Sequence, residues 1–189
     1  MTKSELRVQY KKLRAELSEE DIDLQSLAIA NQLLKMDIWD YSFYHLFLTI
    51  SEHKEINTDY ILNILSGKDK NIVISKTDFE FIKMTHFLLT DNTIIRKSAH
   101  NIPEPVDGIV IPSEKLEVIF VPLLVFDTFG NRIGYGKGFY DKFLSECNPS
   151  VVKIGLSFFE AEEKISGVFD SDIALDYCVT PTRIYAFSV

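Results

Sequence analysis

Apolar residues recur at helical spacing in the first segment of the chain, at Leu6, Tyr10, Leu13 and Leu17. Steps of three and four stack side chains on one helix face, so the pattern predicts an amphipathic helix there, and a second helix is expected to follow with Ile22, Leu27, Leu33 and Leu34 turned inward. Thr2 with Glu5 forms a capping-box pattern for the first, and Ser18 opens the second. Residues 41–50 read as a buried aromatic and β-branched strand. A polar loop leads from it into a helix ending near Ser66, with Gly67 as its stop.

Residues 71–75 (NIVIS) form a short, continuously apolar strand, the pattern of a sheet covered on both faces. The runs within residues 79–99 suit an antiparallel or edge addition, and Ile102-Pro103-Glu104-Pro105 reads as a rigid turn. Residues 118–126 (VIFVPLLVF) are the most apolar window, with Pro122 arguing against a fully laddered central strand. A helix at 140–146, a strand at 151–158, an acidic connection and a last strand at 177–179 complete the pattern. Strands alternating with helices predict an α/β protein: a single three-layer α/β/α domain over residues 1–189 with a mainly parallel, mixed, Rossmann-like sheet.

Between the most apolar strand and the next helix, four of the eight glycines fall at positions 130, 134, 136 and 138. Glycine there lets a ligand approach backbone N–H groups beside a helix N-terminus, the usual arrangement for phosphate. The Walker and dinucleotide-binding spacings both fail: Asn131 and Gly138 stand where a Walker loop needs Gly and Ser or Thr, and Gly134, Gly136 and Gly138 alternate. What favours an anion is the charge around the glycines. Arg132 supplies a planar fork and Lys137 a point charge, while Asp141 could hold Mg²⁺ against the same oxygens or simply favour the first turn of its helix. Phe139 and Tyr140 border the loop and could face a flat ligand.

Lys3, Arg7, Lys11 and Arg14 form a basic stripe along the first helix, which by itself reads as a solvated face. The segment from Glu160 to Asp176 has six acids against one base, Lys164, and its composition does not single out one aspartate.

Composition narrows the function classes. With 20 Lys+Arg against 28 Asp+Glu the net charge is −8, which argues against nucleic acid as a partner. No apolar run reaches the roughly 20 residues of a membrane helix, and the opening MTKSELRVQYKK is charged, so a cytoplasmic protein without a membrane partner is expected. Cys147 and Cys178 read as reduced structural thiols. His45, His53, His86 and His100 have no metal-binding spacing, and no G-x-S-x-G marks a nucleophile elbow.

The run from Arg132 to Asp141 (RIGYGKGFYD) after an apolar strand resembles the signature of the 5-formyltetrahydrofolate cyclo-ligase family, also called methenyltetrahydrofolate synthetases. The likeness extends to KSELR at 3–7, EINT at 55–58, IPEP at 102–105 and DIALD at 172–176. It implies an ATP- and Mg²⁺-dependent ligase of one-carbon metabolism, expected as a monomer, that converts 5-formyltetrahydrofolate to 5,10-methenyltetrahydrofolate and releases ADP and phosphate. By motif position it places Lys3, Ser4, Glu5, Leu6 and Arg7 around the nucleotide, together with Arg132, Ile133, Gly134, Tyr135, Gly136, Lys137, Gly138, Phe139 and Tyr140. Arg132 and Lys137 fall at catalytic positions and Asp141 and Asp172 at magnesium positions. Ile50, Glu55 and residues 135–139 (Tyr135 to Phe139) fall at folate-contacting positions, Glu55 reading as an exposed loop carboxylate. Ser75-Lys76 departs from the family's usual Pro and basic residue, and Glu117 from its usual Asp. Two other readings stay open: another phosphoryl-transfer enzyme on a similar fold, and a non-catalytic nucleotide- or folate-binding module.

Overall fold

The computed structural model describes residues 1–187. Its helices are α1 (Lys3–Ala15), α2 (Glu19–Leu33), α3 (Asp59–Gly67) and α4 (Phe139–Glu146). The strands are β1 (Phe43–His45), β2 (Asn71–Asp78), β3 (Lys83–Leu88), β4 (Ile95–Lys97), β5 (Pro103–Pro105) and β6 (Val118–Pro122). They continue with β7 (Val125–Phe126), β8 (Arg132–Ile133), β9 (Val152–Leu156), β10 (Tyr177–Val179) and β11 (Ile184–Ala186). Among the described residues no helix is long and apolar enough to cross a membrane.

The main sheet has the order β11-β10-β9-β6-β1-β2-β3. Its five inner strands are parallel, and β3 and β11 close the two edges antiparallel. The expected mixed, mainly parallel sheet is therefore present. Along β6 the alternation of a strand sorts side chains to two faces. Val118 and Phe120 join a core with Ile29 and Leu33 of α2 and Ile61 and Leu65 of α3. Ile119 and Val121 join another with Phe143 and Leu144 of α4. Helix α1 lies apart from both, packing Leu6 and Tyr10 on Leu124, Val125 and Ile133 beyond the end of β6.

The chain runs outward from β1 to β2 in one direction, and β6 returns to the opposite side of β1 before β9 and β10 follow outward. Strand order thus reverses between β1 and β6. At such a point the loops leaving the two strands diverge and open a crevice at their carboxyl ends.

Several local expectations are corrected. In α2, Leu27 and Leu34 are exposed, and Ser26, Ile29, Ala30 and Leu33 form the buried face. Gly67 is the last residue of α3, and Asp69 supplies the left-handed turn, with φ 58°. Aspartate tolerates that conformation better than most residues because its short side chain bonds locally. Residues 103–105 are strand β5 paired with β4, where a turn was expected. β1 covers only three of the ten residues read as strand, and β11 had no counterpart in the hydrophobic pattern. Pro122 is accommodated because the ladder between β6 and β1 already ends at Ile119.

Candidate active site

A cleft of ≈ 1370 Å³ occupies the crevice, walled by α1, the segment after β1, the end of β2, the glycine loop and residues 166–172. Lys3, Arg7, Lys11, Arg132 and Lys137 line it together with Glu5, Glu55, Asp141 and Asp172, so cations slightly outnumber acids there in a chain of net charge −8.

The glycine loop leaves the small β7–β8 hairpin and enters α4. Gly136 and Gly138 hold φ of 91° and 76°, conformations that a side chain disfavours. Gly138 is the N-cap of α4 and makes no side-chain capping bond, so the first N–H groups of that helix have no side-chain partner. Arg7 Nε donates to the Gly134 carbonyl at 3.1 Å and fastens α1 to the loop. Arg132 donates from Nη1 to the Ile173 carbonyl and from Nη2 to Asp141 Oδ1 at 2.9 Å. Asp141 Oδ1 also accepts from Ile173 N at 3.1 Å. Lys3 pairs with Asp172 Oδ2, which accepts from Phe169 N as well. Burial opposes ionisation of Asp172, but the bonds from Lys3 and Phe169 outweigh it and hold its pKa below the usual value. Lys137 is exposed and has no hydrogen-bond or ion-pair partner among the described residues.

A buried chain forms the opposite wall. Arg14 donates from Nη2 to the Leu123 carbonyl at 2.6 Å and from Nη1 to Tyr135 Oη at 2.8 Å. Tyr135 in turn donates to Glu55 Oε1 at 2.9 Å, and Glu55 Oε2 accepts from Ile50 N at 2.8 Å. Glu55 is only 4% exposed, which corrects the exposed carboxylate expected from sequence. Burial pushes its pKa up, partly offset by the Ile50 N–H and the charge of Arg14. Burial likewise raises the Tyr135 phenol, and the Glu55 charge adds to it. Arg14 is therefore a buried member of the basic stripe, and Lys3 and Arg7 are half-buried; only Lys11 fits the solvated face expected.

Of the residues singled out by motif, all but one line the cleft. Leu6 packs into the core against Val125 and Ile133 and lies away from it. Glu5 reaches the rim, but its carboxylate accepts from Thr2 N at 2.8 Å and closes the helix cap. Sequence reasoning missed Lys11, His45, Ser75, Phe79, Met84 and His100, which also line the cleft. Their signal is tertiary: the Phe79 and His100 rings stack 3.8 Å apart, joining segments that have no local pattern in common.

Asp141 and Asp172 each keep one carboxylate oxygen with no partner among the described residues. No cluster of three or more His, Cys, Asp or Glu suited to a metal occurs among those residues. This donor set fits a hard cation that takes most of its ligands from phosphate and water, as Mg²⁺ does, and would not hold one alone.

Residues 1–173 match the 5-formyltetrahydrofolate cyclo-ligase family. The chain is 30% identical to the 5-formyltetrahydrofolate cyclo-ligase of Mus musculus over 149 residues, 75% of this chain and 73% of the mouse protein. It is 28% identical to that of Haemophilus influenzae over 163 residues, 82% and 85% of the two chains. The solved structure of Aquifex aeolicus 5,10-methenyltetrahydrofolate synthetase superposes with a TM-score of 0.85 at 26% identity, covering 100% of this chain and 94% of that one.

Proposed function

The chain belongs to the 5-formyltetrahydrofolate cyclo-ligase family, and we propose that its cleft binds ATP and 5-formyltetrahydrofolate side by side and spends the ATP on closing the folate's own ring. The reading is carried by one observation: a glycine loop at the strand-order reversal carries Lys137 next to the start of α4, and neither has a side-chain partner among the described residues. Backbone N–H groups and a free ammonium together suit a polyphosphate.

The reaction has a definite electrostatic demand. A formamide oxygen leaves poorly, so the formyl oxygen takes up the terminal phosphoryl group of ATP with release of ADP, N10 attacks the activated carbon and gives up its proton, and the adduct collapses with loss of phosphate. Lys137, Arg7 and Arg132 spread positive charge over the phosphate oxygens, where charge shifts during transfer. Asp141 and Asp172 would hold Mg²⁺, which when bound supplies further charge neutralisation at those oxygens. Glu55, with Ile50 and Tyr135, faces the folate and fixes its ring beside the loop. The residues given these roles all belong to one chain, which is compatible with a monomer.

The test is incubation of the protein with 5-formyltetrahydrofolate and Mg·ATP, following the near-ultraviolet chromophore of the methenyl product. Its appearance only with ATP supports the reading. Folate or nucleotide binding with no chromophore would identify a binding module instead.

A further inference from the structure

Residues 166–172, which carry Asp172 to the cleft beside α1, form a loop without helix or strand. Both of its feet stand on the β7–β8 hairpin and the helix that follows. At the exit, the Ile173 carbonyl accepts from Arg132 and Ile173 N donates to Asp141, and further on Leu175 N donates to the Gly130 carbonyl at 3.0 Å. At the entry, Ile165 N donates to Asp127 Oδ2 at 2.9 Å. Asp127 directly follows β7 and is fully buried, and no cation pairs with it among the described residues.

The two carboxylate oxygens of Asp127 have different partners. Oδ1 accepts from Phe129 N at 3.0 Å and Asn131 N at 2.9 Å, which closes the hairpin turn in the way a short acidic side chain commonly does. Oδ2 accepts from Asn131 Nδ2 at 3.0 Å and from Ile165 N, which lies 38 residues away. A turn alone needs only the first oxygen and could leave the second in water. Burying a carboxylate is costly unless both oxygens are bonded, so the second oxygen ties the group to the acidic segment. The backbone runs the same way: Thr128 N donates to the Glu162 carbonyl at 3.0 Å, and Glu162 N to the Phe126 carbonyl at 2.9 Å. Because Phe126 is the cross-strand partner of Arg132, one end of the hairpin sets the entry and the exit of the loop together.

We propose that Asp127 is a positioning residue for the reaction: by fixing Ile165 it holds residues 166–172 in the path that presents Asp172, and the Lys3 paired with it, to the phosphates of the nucleotide. This rests on the reading that the nucleotide occupies this end of the cleft. Asp127 does not line the cleft and acts through the backbone of the loop. Without it the loop would be tethered at its exit alone, and ordering it would oppose nucleotide binding. The effect should spare the folate, because Ile50, Glu55 and Tyr135 bond to one another and to Arg14, apart from this network.

The test compares the full-length wild type with Asp127→Ser and Asn131→Ala, each below its unfolding midpoint. Serine can close the same turn with its one oxygen and has none for Ile165 N, so the entry foot is lost. Asn131→Ala removes a different bond to Oδ2 and leaves the foot in place. The Kd for Mg·ATP should rise about tenfold in Asp127→Ser, the loss of one hydrogen bond to a charged group, and stay within about twofold in Asn131→Ala. The Kd for 5-formyltetrahydrofolate should stay within about twofold in both. A merely structural Asp127 would lower stability without a nucleotide-specific loss; that result, or equal losses for the two ligands, overturns the proposal. Amide exchange in the wild type needs no variant: Ile165 should exchange as slowly as Asn131 of the hairpin while residues 166–171 exchange faster. An Ile165 amide as fast as that loop overturns the proposal and leaves the nucleotide reading intact. A wild type that binds no Mg·ATP overturns both.

Discussion

The guanidinium of Arg7 lies directly against Gly136: a Cβ built at that glycine would stand 3.2 Å from both Cζ and Nε of Arg7. With φ at 91°, residue 136 is also in the left-handed region. Gly136→Ala must therefore strain the loop and push the Arg7 guanidinium, which holds the Gly134 carbonyl, by a few tenths of an ångström. The expected cost is about 1–2 kcal/mol of stability from the backbone, measured by urea unfolding, with a weaker nucleotide Kd by titration. An unchanged Kd would show that the α1-to-loop contact does not shape the nucleotide site.

Lys137 and Arg132 should respond differently to truncation. Lys137 has no partner among the described residues, so Lys137→Ala should leave stability within about 0.5 kcal/mol of wild type. Under the proposed function its turnover should fall by about 100-fold or more, because the charge would act on the phosphates alone. Arg132 holds both Ile173 and Asp141, so Arg132→Ala should lose stability as well as turnover. Thermal unfolding and kcat measured on both variants check the contrast; full turnover by Lys137→Ala would remove that residue from the chemistry.

Arg14 supports the Tyr135–Glu55 wall of the cleft from behind. It is 5% exposed, and its removal would leave the Leu123 carbonyl and the Tyr135–Glu55 pair without their cation. Arg14→Met should cost about 3 kcal/mol, the scale for deleting one member of a buried charged group. Arg14→Lys should recover only part of this, since one ammonium cannot reproduce a fork reaching two acceptors. Denaturation midpoints of the two variants measure it, and a loss below about 1 kcal/mol in Arg14→Met would mean the network carries little of the stability.

The parts of this architecture that are local in the chain were legible from sequence. The capping boxes, the alternation of strands and helices and the glycine loop each depend on residues a few positions apart. The misread parts depend on distant partners. Arg14 has the same spacing as Lys3, Arg7 and Lys11, and what distinguishes it is contact with Leu123 and Tyr135, 109 and 121 residues away. Glu55 sits in a polar stretch, and its burial follows from Tyr135, 80 residues on. β11 is three residues long and is set by a tight turn in which Thr180 N donates to the Arg183 carbonyl at 2.9 Å, too short a signal for periodicity. The hydrogen-bonded chain of His45, Ser75 and His86 exists only through strand register, which no motif spacing encodes.

Glu55 should also leave a mark on the pH dependence of stability. Its ordinary value is 4.5, and burial raises it in the folded protein. The folded state then holds the Glu55 proton more tightly than the unfolded chain does. The stabilisation from that proton is complete below the unfolded value and is lost as pH rises from about 4.5 through the folded value. Glu55→Gln removes the titration while keeping the side-chain length and an acceptor for Ile50 N. The stability difference between variant and wild type should therefore move in favour of Gln as pH rises from 4 and level off above the folded value. Urea midpoints of both proteins at unit steps from pH 4 to 8 measure this, and a difference that stays flat across the series would mean Glu55 titrates as an ordinary surface carboxylate. Above the folded value of Glu55, folate affinity should fall in the same variant, since the amide presents a donor where the carboxylate presents an acceptor, so stability and binding would change in opposite directions at neutral pH.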